Sequence, residues 1–239
     1  MFARSISVLF LLSIVQYFLL DATAAAKQQL EKQPVIPPVE KLGPNLLLMG
    51  SIRIDTAKRE ISVPGTVNSP MALEFVANTK DGFKAYESAL ELETNAVTFN
   101  TALILIGLDP SNAEPARFHF DPTTPKGDPV DIWVEWQGDN GTTRKVPAEE
   151  IVYSEIRKQT LQNAQWVYTG SVFSEEGRYL AERDGVLIGF VHTPATIIEN
   201  ASPDGVGRYG SFVLNPSLGL SVGQSVVLTV RAMARANKK

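Results

Sequence analysis

The stretch 77-ANTKDGFKAYESALELE-93 decides how the rest of the chain is read. Asp81-Gly82 is a strong two-residue turn signal, because a type I′ turn needs positive φ at both central positions. With the turn centred there, Lys80 faces Phe83, and counting outward pairs Ala77 with Tyr86, Phe75 with Ser88 and Leu73 with Leu90. Alternation then places Leu73, Phe75, Ala77, Tyr86, Ser88 and Leu90 on a core face, and Glu74, Asn78, Glu87 and Glu91 on a wetter one. In that register Ser88 lies about 13 Å along the strand from Lys84 and points away from Glu87, so no Ser/Lys dyad forms. Were the same residues helical, Lys84 and Ser88 would share a face about 6 Å apart and the dyad would revive. The Asp-Gly turn and the alternating flanks favour the strand.

Upstream, 46-LLLMGSIRIDTAKREISVPGTVN-68 alternates around Ile52 and Ile54, turns at Ala57-Lys58 and resumes at Glu60-Ile61-Ser62-Val63. Two short antiparallel strands are expected, the second ended by Pro64-Gly65. Downstream, Thr94-Asn95 offers an N-cap to AVTFNTALILI, and Gly107 and Asp109-Pro110 stop it, which predicts a buried helix of about twelve residues. Residues 109–130, rich in Pro, Asp, Thr and Gly, read as a surface loop around a short Arg117–Phe120 strand. The segments DIWVEW and TRKV flank a turn containing Asn140-Gly141, a second hairpin. There Trp133 and Glu135 alternate with Ile132, Val134 and Trp136, leaving Trp133 as an exposed aromatic. Pro147-Ala148-Glu149-Glu150 opens a second helix toward Gln159, with proline in the first turn and acids where the helix dipole favours them. From Gln165 the pattern is β again, in WVYTGSVF, YLAE, GVLIGFVH and SVVLTVRAM, with a turn at Ala181–Gly185. The expected fold is a single α+β domain of antiparallel strands and hairpins with two interposed helices.

The first residues carry Arg4, an apolar run from Ile6 to Leu20 and then small residues around Ala24 and Ala26, the pattern of a cleaved export signal over residues 1–24. Residues 25–44 are polar and proline-rich and read as a tether, residues 45–236 as the folded domain and 237–239 as a basic tail. An exported, periplasmic or extracellular location is expected, with no membrane span once the signal is removed. The chain has no cysteine, which excludes disulfides, thiolate nucleophiles and cysteine-held metal or iron–sulfur sites. A net charge of −4 without a basic run gives no footprint for nucleic acid.

Several segments together are similar to the YdjY-like domain of exported bacterial proteins: Ile61–Asn68, Leu73-Glu74, Lys84–Ser88, Ala102–Leu108, Trp166–Ser171 and Gly223–Leu228. The likeness spans about residues 47–235, nearly the whole body. It implies a domain to which no activity is assigned. The resemblance implies a pattern that is often K-x-H-E-S in relatives where this chain has Lys84-Ala85-Tyr86-Glu87-Ser88, so any metal or proton role of that histidine is missing at Tyr86.

Only His119 and His192 are present, which excludes a three-histidine metal site. A mixed site of His192 with Glu182 or Glu199 has no supporting spacing, so no metal and no cofactor is expected. Gly170-Ser171 lacks the G-x-S-x-G elbow of a nucleophilic serine. Gly205–Gly210 does not match a phosphate-binding spacing and reads as a loop. No residue stands out as catalytic, and the binding candidates are Lys84, Tyr86, Glu87, Ser88 and Trp133. The expectation is a non-catalytic binding or assembly domain that meets an envelope component or a protein partner through a shallow aromatic groove. The alternative is an envelope hydrolase acting through Glu74 and Glu87 or through Ser88, with Glu74/Glu87 flanking a glycosidic bond.

Overall fold

A computed structural model describes residues 35–138, 140–202 and 211–234. The segments expected to be an export signal (1–24), a basic tail (237–239) and a loop at 205–210, with most of the expected tether, lie outside the described residues. Residues from Ile36 onward form one compact unit.

In chain order the strands are β1 (Val39–Lys41), β2 (Leu46–Met49), β3 (Ile52–Asp55), β4 (Glu60–Val67), β5 (Phe75–Thr79) and β6 (Ser88–Leu92), followed by helix α1 (Ala96–Leu105). Next come β7 (Asp128–Gln137), β8 (Thr143–Pro147), β9 (Val152–Ser154), β10 (Gln159–Thr160) and β11 (Trp166–Tyr168), then helix α2 (Leu180–Asp184). The chain ends with β12 (Val186–Gly189), β13 (Ile198–Asn200), β14 (Phe212–Leu214) and β15 (Ser225–Ala232). Hydrogen bonding runs β4–β15–β7–β11–β13–β12–β5–β6 and returns to β4, which closes an eight-stranded barrel. Strands β3, β2 and β1 continue outward from β4, β8 extends β7, and β10, β9 and β14 form a separate small sheet.

This corrects the expected α+β fold with two substantial interposed helices. The architecture is a β-barrel with α1 and the five-residue α2 among its described elements. The helix expected from Pro147 stops after one 3-10 turn at Ala148–Glu150 and continues as β9, because Ile151 and Val152 enter the core and β9 pairs with β14. Conversely, YLAE is helical rather than extended, ending at Gly185 in the left-handed conformation (φ 67°) that favours glycine. Residues 117–120 form no strand; Glu114 and Lys126 instead make an isolated bridge that closes the loop around them.

The expected hairpin at Asp81-Gly82 is the largest departure. Strands β5 and β6 are parallel, with Phe75 opposite Ser88 and Ala77 opposite Leu90, and a 3-10 turn (Phe83–Glu87) lies in the link between them. Asp81 does take positive φ (54°), but Gly82 is extended at φ −68°, so no type I′ turn forms. Glycine is needed at 82 for another reason: a Cβ there would stand 2.7 Å from the Gly185 carbonyl oxygen. Tertiary contact, not turn geometry, explains that residue.

The interior is assembled from alternation on the long strands. Ile61, Val63 and Val67 of β4, Ile132, Val134 and Trp136 of β7, and Val226, Leu228 and Val230 of β15 are all buried in one cluster. The ladders β3–β4 and β7–β8 match the expected antiparallel pairs. Pro64-Gly65 does not end β4. Residues 60–62 pair with β3 and residues 65–67 with β6, and Pro64, which has no N–H to give, falls at the change of partner. Helix α1 begins at Asn95, whose side chain accepts from Thr98 N–H, and buries Phe99, Ala102 and Leu103 while Ile104 and Leu105 face out.

Candidate functional site

The 3-10 turn between β5 and β6 gathers four of the sequence candidates. Lys84 Nζ donates to Glu87 Oε2 at 2.7 Å and to the Tyr86 hydroxyl at 3.2 Å, and lies 5.4 Å from the Tyr86 ring centroid. Burial works against the ammonium charge, but the Glu87 and Tyr86 hydrogen bonds outweigh it and raise the Lys84 pKa. Lys84 is therefore a held cation and not a free base. Ser88 is fully buried and its hydroxyl donates to the Lys84 carbonyl at 2.9 Å, so the Ser/Lys dyad is absent. Tyr86, expected on the core face, is exposed, with Phe83 and Met71 exposed beside it. Glu74, Asn78 and Glu87, expected on a wet face, are all buried. The reason is the barrel: β5 has strands on both sides and is covered on both faces, so no residue of the segment Phe75–Thr79 reaches water.

Beside Glu87 stands a pair that sequence reasoning missed. Glu74 N–H donates to the Glu87 carbonyl at 3.0 Å, and the Glu74 side chain meets His119, with Nε2 3.1 Å from Oε2. The carboxylate is 3% exposed and the imidazole 46%. The ring is not aligned for a hydrogen bond, and Oε2 accepts none from any described residue.

The segment 117-RFHFD-121 carries His119. Phe120 stacks on the imidazole with centroids 4.0 Å apart and takes positive φ (63°), a strained conformation for a bulky side chain at a cost of about 1–3 kcal/mol. Its N–H donates to the His192 carbonyl at 2.9 Å. Arg117 fixes the other side: its guanidinium donates to Asp121 at 2.8 and 3.1 Å and holds that buried carboxyl well below the usual range. A histidine set between aromatics and flanked by opposite charges is the signal that was present in the sequence.

The mixed metal sites considered for His192 do not form. Its Nδ1 lies 2.7 Å from the Asp121 carbonyl and its Nε2 3.0 Å from the Asn200 carbonyl, so both ring nitrogens face backbone. Glu182 Oε2 accepts from Ala96 and Val97 N–H and caps α1. Glu199 is fully buried and accepts long bonds from Ala116 and Thr193 N–H (3.5 and 3.3 Å), and burial outweighs these and a side-chain bond with Thr169 to push its carboxyl up to about 8. Among the described residues, no group of three or more His, Asp or Glu could hold a metal.

Trp133 belongs to a different place. It is half-buried on the outer face of β7, with Lys145 5.4 Å and Arg231 5.0 Å from its ring centroid. It borders an open groove of about 390 Å³, together with Pro129, Pro147, Trp166 and Met233. Trp166 is mostly enclosed and donates through Nε1 to Glu149 Oε2 at 3.1 Å. A second hollow of about 530 Å³ lies between Trp136 and Arg144, whose guanidinium is bonded to the Leu218 carbonyl at 2.6 Å.

In a comparison with protein families, the model of the YdjY domain matches residues 52–231. Those residues run from the start of β3 almost to the end of β15 and so contain the whole barrel. No curated protein and no solved structure matches the chain.

Proposed function

Because the chain belongs to the YdjY domain family, whose description names no activity, we propose a function from the geometry: an exported, non-catalytic binding or assembly domain of the cell envelope that holds its ligand beside Trp133. The open groove on the outer barrel wall carries this proposal. It combines an aromatic face, the prolines Pro129 and Pro147, and the acceptors Asp131 and Glu149. Aromatic faces bind the apolar sides of flat ligands, while polar groups at the rim fix orientation. A polyhydroxylated chain such as a wall glycan has both kinds of surface. The hydrolase alternative is weakened at Ser88, which is enclosed and bonded to backbone, and at Glu74 and Glu87, which are both buried, with Glu87 bonded to Lys84.

The test is a thermal-shift titration of the protein and of Trp133→Ala with soluble wall-glycan fragments. Binding at a hundredfold excess over Kd stabilises the folded state by about 2.7 kcal/mol, a rise on the order of 5 °C for a domain of this size. The rise is expected in the wild type and lost in Trp133→Ala. A rise of equal size in the variant overturns the assignment to this groove, and no response to any fragment overturns the glycan.

A further inference from the structure

We infer that Glu74 and His119 form a binding site for a divalent transition-metal ion of the zinc class. Glu74 Oε2 is a buried carboxylate oxygen with no hydrogen-bond donor among the described residues, although the His119 Nε2 atom is only 3.1 Å away. Buried polar atoms are nearly always satisfied, so an orphan carboxylate oxygen under a half-exposed imidazole calls for a partner. The separation fits a shared ion. Oxygen and nitrogen ligands each about 2.0–2.1 Å from zinc stand roughly 3.3–3.4 Å apart at the tetrahedral angle, and a separation of 3.1 Å corresponds to an angle of about 100°.

The supporting structure holds both donors in place. Glu74 is fixed by its N–H to the Glu87 carbonyl and by its own carbonyl, which accepts from Phe190 and Val191 N–H. His119 is fixed by the stacked, positive-φ Phe120 and by the Arg117–Asp121 pair two residues to either side. Lys84, on the β5–β6 link, pairs with Glu87. With two protein ligands and no third His, Asp or Glu joining them among the described residues, binding is weak and leaves positions open to water or to a ligand's own donor atoms. This site shares no residue with the Trp133 groove, so either stands or falls without the other.

The experiment is a calorimetric titration of the untagged protein with Zn²⁺ alone, repeated with His119→Ala and Glu74→Gln, with a parallel Co²⁺ titration read by visible absorption. The wild type is expected to bind one ion saturably and to change the visible cobalt spectrum in step with that binding. His119→Ala, an exposed position whose loss leaves the core intact, abolishes both signals. Glu74→Gln lowers affinity at least tenfold, and circular dichroism checks that it is folded. No saturable binding in the wild type shows a plain ion pair and overturns the inference. Binding undiminished in His119→Ala places the ion elsewhere and overturns it as well.

Discussion

At Glu199 a carboxyl group is enclosed without a cation, and its protonation is tied to folding. In the unfolded chain this group titrates near 4.5; in the barrel burial moves it up to about 8. The folded state therefore binds the proton more tightly. The associated stability is full below the unfolded value and is lost as pH rises toward and through about 8. Glu199→Gln keeps the shape without the charge, so the variant's melting temperature should stay flat from pH 5 to 8.5 while the wild type's falls. Asp121 has the opposite sign: Arg117 depresses its carboxyl, and that contribution disappears as pH falls below the ordinary carboxylate range. The sequence placed Asp121 beside His119 and offered Glu199 as a partner for His192, but it did not mark either carboxyl as enclosed. Isolated acids in loops and strands are usually solvated, and only enclosure distinguishes these two. Lys84, Tyr86, Glu87 and Ser88 were legible as a group because they lie within five positions. Their roles were not, since those depend on which atoms the 3-10 turn brings together.

Among the elements, α1 was the most readable. Its Asn95 cap bonds Thr98 N–H at 2.8 Å as the sequence pattern predicts, and Asn95→Ala should cost about 1 kcal/mol, seen as a drop of roughly 2–4 °C in melting temperature. What the local pattern did not contain is the second cap, Glu182 from α2, which satisfies Ala96 and Val97 N–H. The strand links were misread for a related reason. A short connection normally joins antiparallel neighbours, yet β5–β6 and β12–β13 are parallel pairs joined only by residues 80–87 and 190–197. Strands of five and four residues are short enough for such links, since eight residues reach about 27 Å, enough to return along the strand just made. The same brevity hides α2 in a segment that looks like strand and turn.

For the whole molecule, barrel closure depends on the seam between β4 and β6, where Gly65 faces Leu92. A Cβ at Gly65 would lie 2.4 Å from the Glu91 carbonyl oxygen, so Gly65→Ala should destabilise the protein by roughly 1–3 kcal/mol. Hydrogen exchange should speed up first at Glu93 N–H, which bonds the Pro64 carbonyl across that seam. A uniform loss of protection, with no excess at the seam, would place the damage elsewhere. The sequence by itself determined the alternating strands β3, β4, β7, β8 and β15, helix α1 with its cap, and the absence of cysteine chemistry. Each of these rests on spacing along the chain or on composition, which local sterics and burial translate directly. Only the tertiary structure decided that the sheet closes on itself, that β5 and β6 run parallel, and that Glu74 meets His119 beneath the 117–121 loop. Those outcomes rest on contacts between residues far apart in the chain, where Gly82 against Gly185 and Gly65 against Glu91 set the approach of backbones that no local pattern encodes.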